Sequence, residues 1–296
     1  MIYLSTFHFP TEEAEWLFFA GFRRTCYDSF YPFQIFPQRG LHALDLADIT
    51  ILYGGNGSGK TTALNVMAET LRLHRGAPFN GTSFFKPYCQ LCSPHLLHPL
   101  PPESCILTSD DVFDTMLDMR AINEGVDRRR DELLAEAKDA RNAKFQLRSL
   151  EDYDRLKQVA EARRSSQSQY ARRRVMPNVR THSNGESAFL FFTQKIRSGA
   201  LYLLDEPENS LSPRRQMELA QFLQESARFY NCQFVLATHS PFLLAMPGAR
   251  VYDLDSAPVQ PRRWTELENV RAYYDFFKEH EEEFCWQPKH GGRVKC

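Results

Sequence analysis

The stretch Gly54-Gly55-Asn56-Gly57-Ser58-Gly59-Lys60-Thr61-Thr62 constrains this chain more than any other. It fits the pattern G-x-x-x-x-G-K-[ST] in the setting that pattern needs, with the apolar run Ile49–Tyr53 before it and a helical periodicity from Ala63 to Leu73 after it. Strand, glycine-rich turn and helix start, in that order, make an anion cradle. Glycines let backbone N–H groups curl round phosphate oxygens, and the helix end adds partial positive charge. Lys60 is placed to neutralise those oxygens and the Thr61 hydroxyl to ligate Mg²⁺. A glycine-rich turn with no ligand is the plain alternative, and the flanking strand and helix argue against it.

The 296 residues, 43% of them apolar, suffice for one large domain or two small ones. A net charge of -1 gives no global bias toward nucleic acid or membrane, so any such surface is local. No basic leader stands at Met1–Ser5, and runs such as Phe189–Phe192 and Phe242–Met246 are far too short to span a bilayer, so no membrane insertion is expected. Seven cysteines, an odd number without a secretion signal, fit reduced thiols in the cytoplasm.

Tyr3–Phe7, Phe33–Phe36 and Ile49–Tyr53 read as strands, with an aromatic core segment from Glu12 to Tyr31 between the first two. From Ala77 to Ser104 the composition, rich in Pro and Cys, predicts a loop. Within it Cys89, Cys92, His95 and His98 fall at three-residue intervals, which leaves almost no chain between ligand pairs and favours an ordinary loop over a zinc site. Ile106–Thr108 is a short strand leading through Ser109-Asp110-Asp111 into a charged helical insertion over 109–180. Its sparse apolar positions predict two or three helical segments rather than a long coiled coil. Arg163, Arg164, Arg172, Arg173 and Arg174 lie in a stretch without acidic residues, which suits either contact with nucleic-acid phosphates or a solvated helix face.

Ser183-Asn184-Gly185-Glu186 is a capping box before the apolar helix Ala188–Ile196, and its glycine and helix N-terminus offer a second grip on phosphate. Leu201–Leu204 is a buried-strand run ending in Asp205-Glu206-Pro207. Packing gives no reason for two carboxylates at that tip. Asp205 suits Mg²⁺ through its water shell, and Glu206 suits polarising the water that attacks a γ-phosphate. Ser212-Pro213 opens an amphipathic helix to about Tyr230, and Phe234–Thr238 is a further buried strand ending in His239. His239 is placed to hydrogen-bond the γ-phosphate or the attacking water, with a structural histidine before a turn as the alternative. Val251–Leu254 is another strand, and Thr265-x-x-Glu268 predicts a capping box for a final helix toward Glu283. Strands alternating with helices predict an α/β fold with a mostly parallel sheet, covered on both faces, and its polar groups at the carboxyl ends of the strands.

In that order these motifs resemble the ABC-type ATPases, over residues 1–110 and 180–255. Glu186, where transporters usually carry Gln, and the wide insertion resemble the chromosome-maintenance and recombination branch. More narrowly, the chain is similar to small stand-alone bacterial ATPases labelled AAA-family, many of them found in anti-phage systems. The resemblance implies a P-loop NTPase fold with antiparallel N-terminal strands, an ATPase domain over 1–108 and 181–296, and the insertion at 109–180. It implies ATP and Mg²⁺ as ligands. Residues 54–62 would hold ATP in cis and Ser183, Asn184, Gly185 and Glu186 in trans. Thr61 and Asp205 would meet the metal, Lys60 and Glu206 would act in catalysis, and His239 would be the switch. It further implies a head-to-tail homodimer on ATP and a partner that receives the change. The competing reading is the nucleotide-binding subunit of a membrane transporter, which predicts Gly-Gly-Gln in the signature and a compact insertion. Two positions depart from the family pattern: Ser109-Asp110-Asp111 stands where a lid glutamine is expected, and Ser212 follows Leu211 where Asp is usual.

Overall fold

Two sheets organise the larger of two units in the computed structural model, which describes residues 1–22, 26–143, 153–180 and 183–284. That unit comprises Met1–Asp111 and Asn184–Cys296, and the other comprises Val112–Ser183. In the smaller sheet β1 (Leu4–His8) runs antiparallel to both β2 (Ala43–Asp45) and β4 (Ser93–Leu96). The larger sheet has the order β5 (Cys105–Thr108), β6 (Leu201–Asp205), β7 (Gln233–Ala237), β3 (Ile49–Tyr53), β8 (Arg250–Asp253), β9 (Gln260–Pro261). Its pairings are parallel except the last, β8 with β9. The mostly parallel sheet and the antiparallel N-terminal strands both match the sequence reading.

Every residue of β3, β6 and β7 is buried, the near-continuous apolar pattern of strands covered on both faces. Gln233 is the polar exception in β7, and all of its capacity is used. Its Oε1 accepts from the amides of Tyr3 and Leu4, at 2.8 and 2.9 Å, and its Nε2 donates to the carbonyls of Leu4 and Ala47, at 2.7 and 3.1 Å. A buried amide so satisfied stitches β1 to the parallel sheet instead of destabilising it.

The same unit carries α1 (Glu12–Ala20), α2 (Lys60–Leu71), α3 (Phe85–Leu91), α7 (Asn184–Lys195), α8 (Pro213–Phe229), α9 (Pro241–Leu244), α10 (Glu268–Glu279) and α11 (Glu281–Phe284). The start of α8 follows the sequence rule, with Ser212 accepting from the Arg215 amide and Pro213 in the first turn. Strand register then sets the site. Asp205 at the end of β6 and Leu52 near the end of β3 both pair with Ala237 of β7. The segments that leave these three strands therefore share one edge of the sheet: Glu206 after β6, Thr238-His239 after β7, and Gly54-Gly55 after β3.

The second unit contains most of α4 (Ser109–Asn142), then α5 (Tyr153–Arg164) and α6 (Gln167–Arg172). Its core is small, formed by Leu133, Ala137, Ala162, Tyr170 and Ala171. No helix among the described residues is long and apolar enough to cross a membrane.

Three local expectations are corrected. Phe33–Phe36 is a turn rather than a strand. Phe33 and Phe36 are both buried, and the turn between them is fixed by the Gln34 amide donating to Glu15 Oε2 at 2.8 Å, with Gln34 itself at φ 68°. The stretch predicted as loop before Ser104 holds α3 and β4. Cys89 and Cys92 send their thiols to the carbonyls of Val66 and Tyr88, while His95 bonds Ser5 and His98 meets the Tyr3 ring edge-on. Last, α10 begins at Glu268 with the buried Leu267 as its cap and no capping side chain, so Thr265 and Glu268 do not form the predicted box. A short 3₁₀ turn, Trp264–Glu266, takes up that segment instead.

Candidate functional site

Lys60 braces the glycine-rich loop that precedes it. Lys60 begins α2, is 5% exposed, and donates from Nζ to the carbonyls of Gly54 at 2.7 Å and Gly55 at 3.1 Å. Burial pulls its pKa below the ordinary lysine value, opposed by the nearby carboxylates of Glu206 and Asp205. Gly59 caps the helix at φ 95°, a left-handed conformation that L side chains resist. Ser58 Oγ is buried there without a protein partner.

Thr61 Oγ1 donates to Asp205 Oδ1 at 3.1 Å, joining residues 144 apart in sequence. Burial raises the Asp205 carboxyl to about 6, with Glu206 adding to the rise while Thr61 and Lys60 oppose it. A buried carboxylate next to a hydroxyl on the exposed Thr61 offers oxygen ligands to a hard divalent cation, so the residues present fit Mg²⁺.

Glu206 follows directly in a left-handed backbone conformation, φ 47°, that costs a non-glycine residue about 1 kcal/mol or more. Its amide donates to the Ala237 carbonyl at 2.9 Å, and Asn209 Nδ2 donates to its Oε2 at 3.0 Å. So fixed, Glu206 Oε1 lies 3.6 Å from His239 Nε2, and that nitrogen is buried with no hydrogen-bond partner among the described residues. The register therefore brings Lys60, Thr61, Asp205, Glu206 and His239 to one edge.

Gly185, in the first turn of α7, packs on the loop that follows the acidic pair. A Cβ there would stand 2.8 Å from the Ser210 carbonyl oxygen, so only glycine fits. Ser183 and Asn184 are exposed, and Gly185 and Glu186 are partly so.

The position expected to carry a lid glutamine is committed elsewhere. Asp111 is buried, its Oδ2 accepting from the amide and hydroxyl of Thr108, each at 2.8 Å, and its Oδ1 from the Ala77 amide at 2.6 Å. The five arginines of the insertion divide. Arg174 pairs with Glu161 and lies over the Tyr170 ring, and Arg163 donates to the Ala143 carbonyl. Arg164, Arg172 and Arg173 are exposed and in no ion pair among the described residues.

Sequence reasoning missed four contributors. Glu208 accepts three hydrogen bonds around His239. Asn269, at the start of α10, donates to the His239 carbonyl at 3.3 Å. Arg39 donates to the carbonyls of Gly57 and Leu254, and Asp255 Oδ2 accepts from the Gly55 amide at 2.5 Å. Glu208 had a signal, a third carboxylate in Asp205-Glu206-Pro207-Glu208. The other three reach the site from distant parts of the sequence and leave no local pattern.

A family model described as "AAA domain, putative AbiEii toxin, Type IV TA system" matches residues 104–245, a little under half of the chain. No curated protein matches. Among solved structures, the Smc head domain with an extended coiled coil from Pyrococcus furiosus is 11% identical, with 95% of this chain and 100% of that one covered and a TM-score of 0.43. The SMC head domain from Thermotoga maritima is 12% identical over 88% and 99%, with a TM-score of 0.36. A dimeric ATP-binding cassette bound to ADP and Pi is 14% identical over 75% and 88%, with a TM-score of 0.34. At scores this low the chain's own architecture carries the weight. Its phosphate loop and strand order give the chain a P-loop nucleotide-binding architecture, and the segment that holds Asp205, Glu206 and His239 is similar to that AAA domain.

Proposed function

We propose that the chain hydrolyses ATP and that the triphosphate closes two copies head to tail, with the helical insertion passing the change to a partner. The setting is the cytoplasm, in bacterial defence or nucleic-acid maintenance. The family description, which names a toxin of a type IV system, favours defence. The observation that carries this reading is the shared edge of β6, β7 and β3, where Glu206 and His239 stand 3.6 Å apart beside the Thr61–Asp205 pair.

The residues act in sequence. Lys60 exchanges its bonds to the Gly54 and Gly55 carbonyls for phosphate oxygens. Thr61 and Asp205 are the residues that would hold Mg²⁺, which when bound neutralises charge on the phosphates. Glu206 orients the attacking water and accepts its proton, and His239 donates toward the same place. Ser183–Glu186 of a second copy supplies the remaining contacts, for which the open N-terminal end of α7 leaves room. Each such helix-end contact contributes about 0.3 to 1 kcal/mol when exposed and more when water is excluded, so closure makes the grip effective.

Phosphate release measured with Mg·ATP tests the enzymatic part. Turnover by the wild type that is lost in Lys60→Ala supports it. A wild type that binds ATP yet releases no phosphate in excess of buffer would remove hydrolysis from the proposal.

A further inference from the structure

The Glu208 carboxylate is buried and in no ion pair among the described residues, an arrangement that costs free energy unless hydrogen bonds replace the lost water. Here they come from one place. Oε1 accepts from the Thr238 hydroxyl at 2.6 Å, the His239 amide at 2.6 Å and the Ser240 amide at 3.2 Å. Oε2 is buried with no hydrogen-bond partner among the described residues. Three donors from consecutive residues on one oxygen fix the backbone on both sides of His239.

The clamp extends in both directions. Ser240 bonds Gln216 through its hydroxyl at 2.7 Å and caps α9, accepting from the Phe242 and Leu243 amides. On the other side Glu208 is two residues from Glu206, across Pro207, whose ring restricts the backbone between them. Asn209, the next residue, holds Glu206 Oε2. One four-residue loop therefore presents Glu206 toward the site and Glu208 toward the turn that bears His239.

Resting on the ATPase reading above, we infer that Glu208 is a positioning residue for hydrolysis: it sets the His239 turn at a fixed distance from Glu206 and has no contact with the reacting atoms itself. A misplacement on the order of 1 Å costs about 100-fold in rate, so the position of this turn matters to turnover while leaving nucleotide affinity alone. Gln keeps an acceptor oxygen for the three donors, and Ala keeps none.

The test compares Glu208→Gln, Glu208→Ala, His239→Ala and the double variant Glu208→Ala/His239→Ala. Glu208→Ala is expected to lower kcat by about 10- to 100-fold with affinity for a fluorescent ATP analogue within about twofold, and Glu208→Gln to stay within about threefold of wild type. The double variant should be no slower than His239→Ala, because the clamp acts through that residue. Hydrogen exchange at the His239 amide gives an arm independent of turnover: protection should persist in Glu208→Gln and fall in Glu208→Ala. Thr238→Val, which removes one donor, covers the case that Glu208→Ala fails to fold, with a smaller loss in the same direction. Additive losses in the double variant, unchanged kcat in Glu208→Ala, or unchanged His239 protection would each overturn the inference. A wild type that does not hydrolyse ATP, with His239 protection still dependent on Glu208, would instead remove the ATPase reading and leave the clamp.

Discussion

His239 Nε2 lies 3.6 Å from Glu206 Oε1, across the gap between the ends of two adjacent parallel strands. The separation is just beyond a hydrogen bond, and the histidine nitrogen has no hydrogen-bond partner among the described residues. Two groups so placed can share a water or a phosphate oxygen between them.

Replacing either member is expected to remove chemistry and keep binding. Glu206→Gln and His239→Ala should each lower phosphate release by about 10²- to 10⁴-fold, the usual contribution of a positioned acid or base. Equilibrium binding of ATP should change little. Loss of binding in step with turnover would place these residues in ground-state contact instead.

Asp205 gives the pH dependence. Its folded-state pKa is raised from 3.8 to about 6, so the stability associated with its neutral form is fully present below pH 3.8 and is lost as pH rises through 6. Asp205→Asn carries no such loss. Without nucleotide or Mg²⁺ the variant should therefore be more stable than wild type near pH 7.5, on the order of 2 to 3 kcal/mol, and converge with it near pH 4. Thermal melts across that range check the sign. Wild type more stable at pH 7.5 would contradict it.

Gly185→Ala should destabilise the isolated subunit, because the new methyl meets the backbone oxygen of Ser210 at 2.8 Å. A loss of about 1 to 3 kcal/mol is the usual scale for such overpacking, and chemical denaturation of the monomer measures it. For that reason a substitution at the exposed Ser183 is a cleaner probe of pairing than one at Gly185.

Any nucleic-acid role of the insertion falls on Arg164, Arg172 and Arg173, since Arg163 and Arg174 are engaged within the unit. If DNA or RNA binds there, replacing the three with Ala should reduce the slope of log affinity against log salt by about two to three. An unchanged slope would assign the three to a solvated face.

How legible the site was in sequence depends on where its signals come from. Asp205 and Glu206 stood out because a strand buried on both faces has no packing use for charge at its tip, and Lys60 and Thr61 because their loop has few other uses. The strands β3, β6 and β7 were read to within a residue for the same reason. Phe33–Phe36 failed: a short aromatic and β-branched run looks like a strand, but the backbone there answers to the Glu15 carboxylate, 19 residues earlier in sequence. Arg39, Asp255 and Asn269 meet the site through long-range contacts that no local pattern encodes. Glu208 was visible as a carboxylate, and only the fold shows that it faces inward.

The most direct test of the paired model is the molecular size of Glu206→Gln in solution with and without Mg·ATP. Monomer is expected without nucleotide, dimer at saturating Mg·ATP, and a return to monomer when Ser183→Arg is added. A Glu206→Gln protein that binds ATP and stays monomeric at saturation would contradict it.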